Sequence, residues 1–493
     1  MAEASERIAS PQAAGKADPE ASHALGLGAL KAGRLDEAIR HLQAAVAAAP
    51  EVAAYHANLG SALQRAGKLD PAIDALQRAA ALLPDHPAVH HNIGNALLAA
   101  RRADEAAAAQ ARAAALAPGE ARFRYAWGLA LDRAHRLIEA EERYREALAL
   151  DPAQGSSRIA LALLRLAAGD RDEALILLRD QHRRMRAPVR DRPYDDASRL
   201  ANRGKVRHDL EQLRWLQGQG VATAAAAALI PAYERLLASM PDGADLQRPV
   251  ALSDAALTAL GGAYNRLIHV MDAPAIEGGA LAPRDWSGVE TSYFADAPGI
   301  TWIDGFLTDE AVAALRGFCL GSTIFHHAKH GGYVGAYLPE VASGLLLQIA
   351  AELPRRMPGV FRHHRLRQMW VYKYDSRMEG IGLHADSAAV NVNFWLTPES
   401  ANLDPDSGGL VIHRCEAPLD WSFRSFNEDE TAIADYIRTH SHGTMTVPYR
   451  FNRAIIFHSD LFHATDRFRF RDRYEDRRLN VTMLFGDRAE EGG

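Results

Sequence analysis

Residues 19–50 read PEASHALGLGALKAGRLDEAIRHLQAAVAAAP, and residues 53–84 read AAYHANLGSALQRAGKLDPAIDALQRAAALLP. At an offset of 34 positions they share Leu25-Gly26 with Leu59-Gly60, Ala38 with Ala72, and Pro50 with Pro84. The offset continues through Gly94 and Gly128, through Ala106, Ala140 and Ala174, and through Pro118 and Pro152. Small residues at such points let two helices approach closely, and a proline cannot continue a helix, so it closes each unit. A fixed period of this length is the mark of stacked helical units. Four full units run from about 19 to 154; a fifth, about 155–186, lacks the closing proline and reads as a terminal cap.

These repeats resemble the tetratricopeptide repeat, a helix-turn-helix unit of 34 residues. The resemblance implies an N-terminal α-solenoid over 19–186, with a concave face suited to a protein or peptide partner. Residues 1–18 are polar and are expected to be disordered.

The rest of the composition narrows the class. Hydrophobic residues make up 48% and charged residues 24% of the 493, ordinary values for a globular chain. At ~150 residues per domain, about three domains are expected. No run of about 18 uncharged apolar residues exists, so no membrane span is expected. Met1 to Ser22 carries no apolar core of the secretory kind. Cys319 and Cys415 are the only cysteines, which excludes a disulfide scaffold and points to a reduced, cytoplasmic setting. The net charge of −6 is mixed along the chain, so no nucleic-acid partner is expected.

Residues 187–285 read as a helical connector. Pro188 and Pro193 mark a linker, and Arg199 to Gln217 is amphipathic. Ala222 to Met240 reads as a helix broken near Pro231, and Asp254 to Met271 as a further helix. From 286 to 493 the pattern changes to short alternating runs separated by turn residues: Gly299–Phe306, Arg367–Tyr374, Ala389–Leu396, Gly409–His413 and Ala454–His458. These are predicted strands. The fold class is therefore a multidomain α + β chain.

The chemistry concentrates after residue 380. In His384-Ala385-Asp386 the two polar side chains are two residues apart, so on a strand, where this motif is expected, both project from the same face. His463 is the best third partner, with His458 as the alternative. Two histidines and one carboxylate on one side of a metal leave the opposite side open, as in non-haem Fe(II) oxygenases. Alternation gives Val390, Val392, Phe394 and Leu396 one face and Asn391, Asn393 and Trp395 the other, predicted to line a polar cavity. Leu479, Val481, Met483 and Phe485 form the apolar face of a late strand. Arg478, Asn480 and Thr482 lie opposite, so Arg478 rather than Arg477 points inward, where a guanidinium suits a carboxylate.

On these residues the segment from about Ile300 to Arg488 resembles the 2-oxoglutarate- and Fe(II)-dependent oxygenases of the prolyl-hydroxylase-like type. The resemblance implies a double-stranded β-helix (jelly roll) in which His384, Asp386 and His463 hold the metal. It implies that Arg478 binds the far carboxylate of the cosubstrate 2-oxoglutarate, with O2 as the second cosubstrate. Tyr374, ten residues before His384, matches a further cosubstrate contact. Trp395 stands where some relatives carry a tyrosine, which leaves the indole N–H or Asn393 to make that contact; Asn480 joins them on the inward face. Retention of Asp386 argues for hydroxylation or hydroxylation-driven demethylation, since relatives that halogenate replace this carboxylate.

The expected function is a dioxygenase that hydroxylates a protein or peptide recruited by the repeats. The alternatives are an oxygenase for a small molecule or conjugated metabolite, and a non-enzymatic repeat adaptor. Among the other histidines, His326, His327 and His330 are expected in an exposed loop, and His363 and His364 are expected to be exposed. His413 is expected at a rim, and both cysteines as packed thiols.

Overall fold

A computed structural model describes residues 18–187, 193–240, 249–329, 332–362, 364–375 and 380–488. The expected disorder of residues 1–17, and the expectations for Pro188, His330 and His363, lie outside the described residues. The chain divides into two compact units, one up to Ala160 and one from Leu161 onward.

The first third is a series of antiparallel helix pairs: α1 Pro19–Lys31, α2 Leu35–Ala48, α3 Ala53–Arg65, α4 Leu69–Leu82 and α5 Pro87–Ala99. It continues with α6 Ala103–Leu116, α7 Ala121–Arg133, α8 Leu137–Leu150, α9 Gly155–Ala167 and α10 Arg171–Arg186. The repeated glycine has a steric cause. A Cβ on Gly26 would lie 2.7 Å from Leu42 Cγ, on Gly60 2.5 Å from Leu76 Cγ, and on Gly128 2.7 Å from the Tyr144 ring. Each time the clashing side chain comes from the second helix of the pair, so the glycine sets how closely the pair packs. The repeated alanines, Ala38 through Ala174, are fully buried at the same crossings.

The turn inside each unit carries the period too. Gly33, Gly67, Arg101, His135 and Gly169 all have positive φ, between 57° and 92°. The next residue's N–H closes the helix on a carbonyl five positions back, as in Arg34 to Ala29 and Arg136 to Leu131. A left-handed residue with a side chain costs about 1–2 kcal/mol, partly offset by glycine's greater freedom when unfolded. We expect Arg101→Gly and His135→Gly each to stabilise the repeats by about 0.5–1 kcal/mol. Denaturant titration of the full chain followed by circular dichroism at a helical wavelength checks this; a loss of stability in both variants would contradict it.

In the second unit, α10 does not end against solvent. It packs on the helix Gly344–Arg356, and Arg186 Nε reaches the buried Glu340 carboxylate at 2.9 Å. The expected connector is less helical than its sequence reads. It holds a ribbon of β1 Leu200–Ala201 and β2 Val250–Ala251, with α11 Arg203–Gly218, α12 Ala224–Ala227, α13 Ile230–Ser239 and α14 Asp254–Ala259. The break falls before Pro231, which sits in the first turn of α13, where its missing N–H costs nothing. The helix expected over 254–271 stops at Leu260, because Gly261 and Gly262 both take positive φ. Helix α11 is part of the C-terminal unit: Arg207 pairs with Asp375 at 3.0 Å, and Glu211 with Arg477 at 2.6 Å.

Beyond 285 come α15 Trp286–Ala295, α16 Asp309–Gly321, α17 Gly344–Arg356, α18 Pro358–Phe361, α19 Phe423–Asn427 and α20 Glu430–His440. The strands are β3 Ile300–Ile303, β4 His327–Ala328, β5 Tyr333–Tyr337, β6 Leu366–Tyr374, β7 Val390–Trp395 and β8 Leu410–Glu416. They are followed by β9 Thr444–Val447, β10 Ala454–His458, β11 Leu461–Thr465 and β12 Leu479–Phe485. All pairings among these strands are antiparallel. One sheet has the order β3-β10-β7-β12-β6-β5-β4 and a smaller one β11-β8-β9. Their facing sides share a core of Trp395, Ile455 and Phe457 with Leu410, Ile412, Val447 and Leu461. The register places Thr482 opposite Asn393 and Trp370, and Asn480 opposite Trp395 and Tyr372. One face of the large sheet thus carries the polar residues singled out above. No helix among the described residues is long and apolar enough to cross a membrane.

Candidate metal centre and anion pocket

His384 and His463 meet as an isolated antiparallel bridge, exchanging backbone hydrogen bonds of 3.0 and 2.8 Å. Their rings lie 4.3 Å apart between centroids. His384 Nδ1 donates to the Gly382 carbonyl at 2.9 Å, and His463 Nδ1 to the Leu461 carbonyl at 3.0 Å. A carbonyl can only accept, so Nδ1 carries a proton in both rings, and in the neutral form of each ring Nε2 is the lone pair left for a metal. Asp386 completes the set: Oδ1 is 3.9 Å from His384 Nε2, and Oδ2 is 3.5 Å from His463 Nε2. One ligand atom from each residue falls within 4.8 Å of the other two.

The segment is held rigidly. Ala385, between the two ligands, donates its N–H to Phe426 and accepts from the Asn427 amide at 2.8 Å. Burial holds His384 down to about 4, helped by the neighbouring His463. Burial pushes the Asp386 carboxyl up, but hydrogen bonds and the two histidines outweigh it and leave it below its usual value. A neutral imidazole, as at His384, beside a carboxylate is the protonation state that binds a divalent metal. His458 is not part of the cluster. It sits on β10 with Nδ1 3.6 Å from Glu416.

The pocket beside the triad is lined by Trp370, Tyr374, Asn393, Thr465, Arg478, Asn480 and Thr482, among others. Arg478 is 1% exposed. Nε donates to the Gly408 carbonyl at 2.7 Å and Nη2 to Gly409 at 3.3 Å, while Nη1 makes no hydrogen bond among the described residues. The guanidinium lies 4.8 Å from the Tyr374 ring centroid and 5.6 Å from that of Trp395. Trp395 Nε1, also buried, makes no hydrogen bond among them either. Burial weighs against the guanidinium's charge, and the Tyr374 hydroxyl beside it weighs the other way. A buried cation with a free donor fits a carboxylate. The two-histidine, one-carboxylate set fits Fe(II), so these residues suit both the metal and an oxo-diacid cosubstrate.

The structure gathers every residue expected at the site, with Trp395 behind Arg478 rather than among the pocket-lining residues. Sequence reasoning missed Trp370, Ile381, Leu410 and Thr465. Trp370 is four residues before Tyr374 on one strand, and Thr465 two after His463, so parity alone could have found both. Arg477 does face away. It is buried against Glu211 and Asp375 rather than exposed among its arginine neighbours. His326 and His364 are corrections: they are 4% and 7% exposed. His326 packs edge-on against His182 of α10, so the loop expected in solvent is covered by a helix the strand pattern does not reveal. Both cysteines are buried, as expected.

These buried histidines set a pH dependence. Burial holds His182 at about 4 and His208 and His326 well below their usual range. In the unfolded chain they titrate near ~6.5. The stability they carry is present above about 6.5 and is lost as pH falls, because the unfolded chain then binds protons that the folded chain refuses. The melting temperature of the metal-free chain should drop steadily from about pH 7 to about pH 5. A flat profile over that interval would count against these burials.

Comparison with known proteins bears on the N-terminal part. A tetratricopeptide-repeat family model matches residues 23–87 and 58–121. Among solved structures, MamA from Desulfovibrio magneticus RS-1 is 23% identical, covering 33% of this chain and 92% of that one, with a TM-score of 0.32. YrrB, described as a TPR protein with an unusual peptide-binding site, is 16% identical over 34% of this chain and 88% of its own, with a TM-score of 0.31. A thermophilic TPR protein of Thermus thermophilus is 22% identical over 34% of this chain and 91% of its own, with a TM-score of 0.29. No curated protein matches the chain. The N-terminal third is a solenoid of tetratricopeptide repeats, followed by a C-terminal region rich in antiparallel sheet.

Proposed function

We propose that the C-terminal unit is an Fe(II)- and 2-oxoglutarate-dependent dioxygenase on a double-stranded β-helix, and that it hydroxylates a protein or peptide target recruited by the repeats. One observation carries this reading: the three clustered metal-ligand residues and Arg478, whose Nη1 makes no hydrogen bond among the described residues, line the same pocket. The bound metal and cosubstrate would supply O2 activation. The net reaction turns 2-oxoglutarate, O2 and a target C–H into succinate, CO2 and a C–OH, with one oxygen atom going to succinate and one to the target. The chain's own part is to hold and orient. His384, Asp386 and His463 would hold the metal. Arg478, beside Tyr374 and Trp395, would anchor the distal carboxylate. Trp370, Ile381 and Leu410 add apolar wall among the polar side chains, which helps to exclude water from the reacting centre.

The protein-target reading rests on the repeats, since solenoids of this kind present extended binding surfaces. The test is to capture proteins from a lysate on the His384→Ala chain and treat them with the unaltered chain, Fe(II), 2-oxoglutarate and O2. Mass spectrometry should find a captured peptide heavier by one oxygen atom, only when the cosubstrate is present. If no captured protein gains oxygen while a small metabolite does, the target assignment is wrong and the repeats serve assembly.

A further inference from the structure

Asp386, like the two histidines, has its second polar atom engaged, in its case by a side chain rather than a backbone carbonyl. Asn391 Nδ2 donates to Asp386 Oδ2 at 2.6 Å. Asn391 Oδ1 accepts from Asn393 Nδ2 at 2.6 Å. Asn393 Oδ1 accepts from Thr482 Oγ1 at 2.6 Å and from Asn480 Nδ2 at 2.9 Å. All four side chains, and Asp386, are buried. The ladder crosses from β12 to β7, where Thr482 and Asn393 are directly opposed.

The direction of this ladder is dictated by its end. An ionised carboxylate can only accept, so Asn391 must turn its NH2 toward Asp386. Its carbonyl then faces Asn393, which must present its own NH2. The Asn393 carbonyl is left for Asn480 and Thr482, both of which have a proton to give. No rung can be flipped without setting two acceptors against each other. A buried network of this kind is satisfied in only one sense, and it fixes the side chain at its end.

We infer that Asn391 is a positioning residue that occupies Oδ2 and makes Asp386 a one-oxygen metal ligand through Oδ1. This rests on the triad holding a metal, as proposed above. Without the Asn391 donor the carboxylate can rotate and engage both oxygens, filling a position that cosubstrate or O2 needs. Partners that orient a ligand in this way commonly change metal affinity by ~10–100-fold.

The experiment titrates the metal-free full chain with Co(II), reading the visible absorption for affinity and for coordination number. Asn391→Leu should bind Co(II) ~10–100-fold more weakly, with an altered spectrum. Asn393→Leu cuts the same ladder one rung away and should lose melting temperature comparably but change the spectrum far less. If Asn391→Leu does not fold, Asn391→Ser, too short to keep the contact, takes its place with the same expected result. Unchanged affinity and spectrum in the Asn391 variant, or equal changes in both variants, would overturn the inference. If the unaltered chain binds Co(II) no better than Asp386→Ala, the metal assignment itself has failed; Asn391 is then at fault only where that control holds.

Discussion

Arg478→Ala should raise the 2-oxoglutarate concentration needed for half-maximal turnover roughly a hundredfold or more. Arg478 is buried, its Nη1 makes no hydrogen bond among the described residues, and Nε and Nη2 donate to Gly408 and Gly409. A carboxylate bound there sits in a water-poor pocket. Removing one partner of such a pair typically costs ~3–5 kcal/mol, because the other charge is left uncompensated. Each ~1.4 kcal/mol is tenfold in affinity. Lysine keeps the charge but not the two-pronged geometry and should restore only part of the loss. The neighbouring Arg477 gives the control. Its guanidinium pairs with Glu211 at 2.6 Å on the opposite side of the strand. Arg477→Ala should therefore lower the melting temperature, by up to about 3–5 kcal/mol of stability, without raising the cosubstrate requirement. Cosubstrate titrations of the two alanine variants, side by side, decide the matter. A crippled Arg477→Ala beside a normal Arg478→Ala would reverse the assignment.

His384→Ala and His463→Ala should each weaken Fe(II) binding by roughly a hundredfold or more, whereas His458→Ala should leave it nearly unchanged. Both ligand histidines already have Nδ1 tied to a carbonyl, which orients each ring with Nε2 toward the cluster. His458 instead faces Glu416 and stands apart from the cluster. Calorimetric titration without O2 measures all three. Retained affinity in both ligand variants would remove the metal centre, and loss in His458→Ala alone would mean the wrong histidine was chosen.

The repeats are legible in the sequence because one steric demand recurs. Wherever Gly26, Gly60, Gly94 or Gly128 stands, a side chain of the second helix occupies the place of a Cβ. The left-handed turn is hidden by comparison: three positions are glycine, but Arg101 and His135 fill the other two. In the C-terminal unit, alternation identifies strands whose two faces differ, such as Val390–Trp395 and Leu479–Phe485. It does not reveal α16 and α17, helices set among the strands, whose buried faces include the consecutive apolar runs Phe318-Cys319-Leu320 and Leu345-Leu346-Leu347. It fails also at α14, where adjacent glycines cut short an otherwise helical pattern.

At the site, parity is sufficient to separate Arg478 from Arg477 and to bring Asn393 and Asn480 together. It is not sufficient to place residues that depend on loops. His384 and Asp386 lie on no regular strand; they are aligned by the bridge to His463 and by Phe426 and Asn427, far away in sequence. Nor could the sequence show that Arg207 and Glu211, in the expected connector, brace the strand end that carries Asp375 and Arg477.

The claim at the centre of this account is that the triad and Arg478 serve one reaction. Conversion of 2-oxoglutarate to succinate by the purified full chain, followed by NMR with and without Fe(II), tests it most directly. The account predicts succinate formation that requires added Fe(II) and O2 and disappears in Asp386→Ala. No succinate from a folded, Fe(II)-loaded chain, or the same yield from Asp386→Ala, would contradict it.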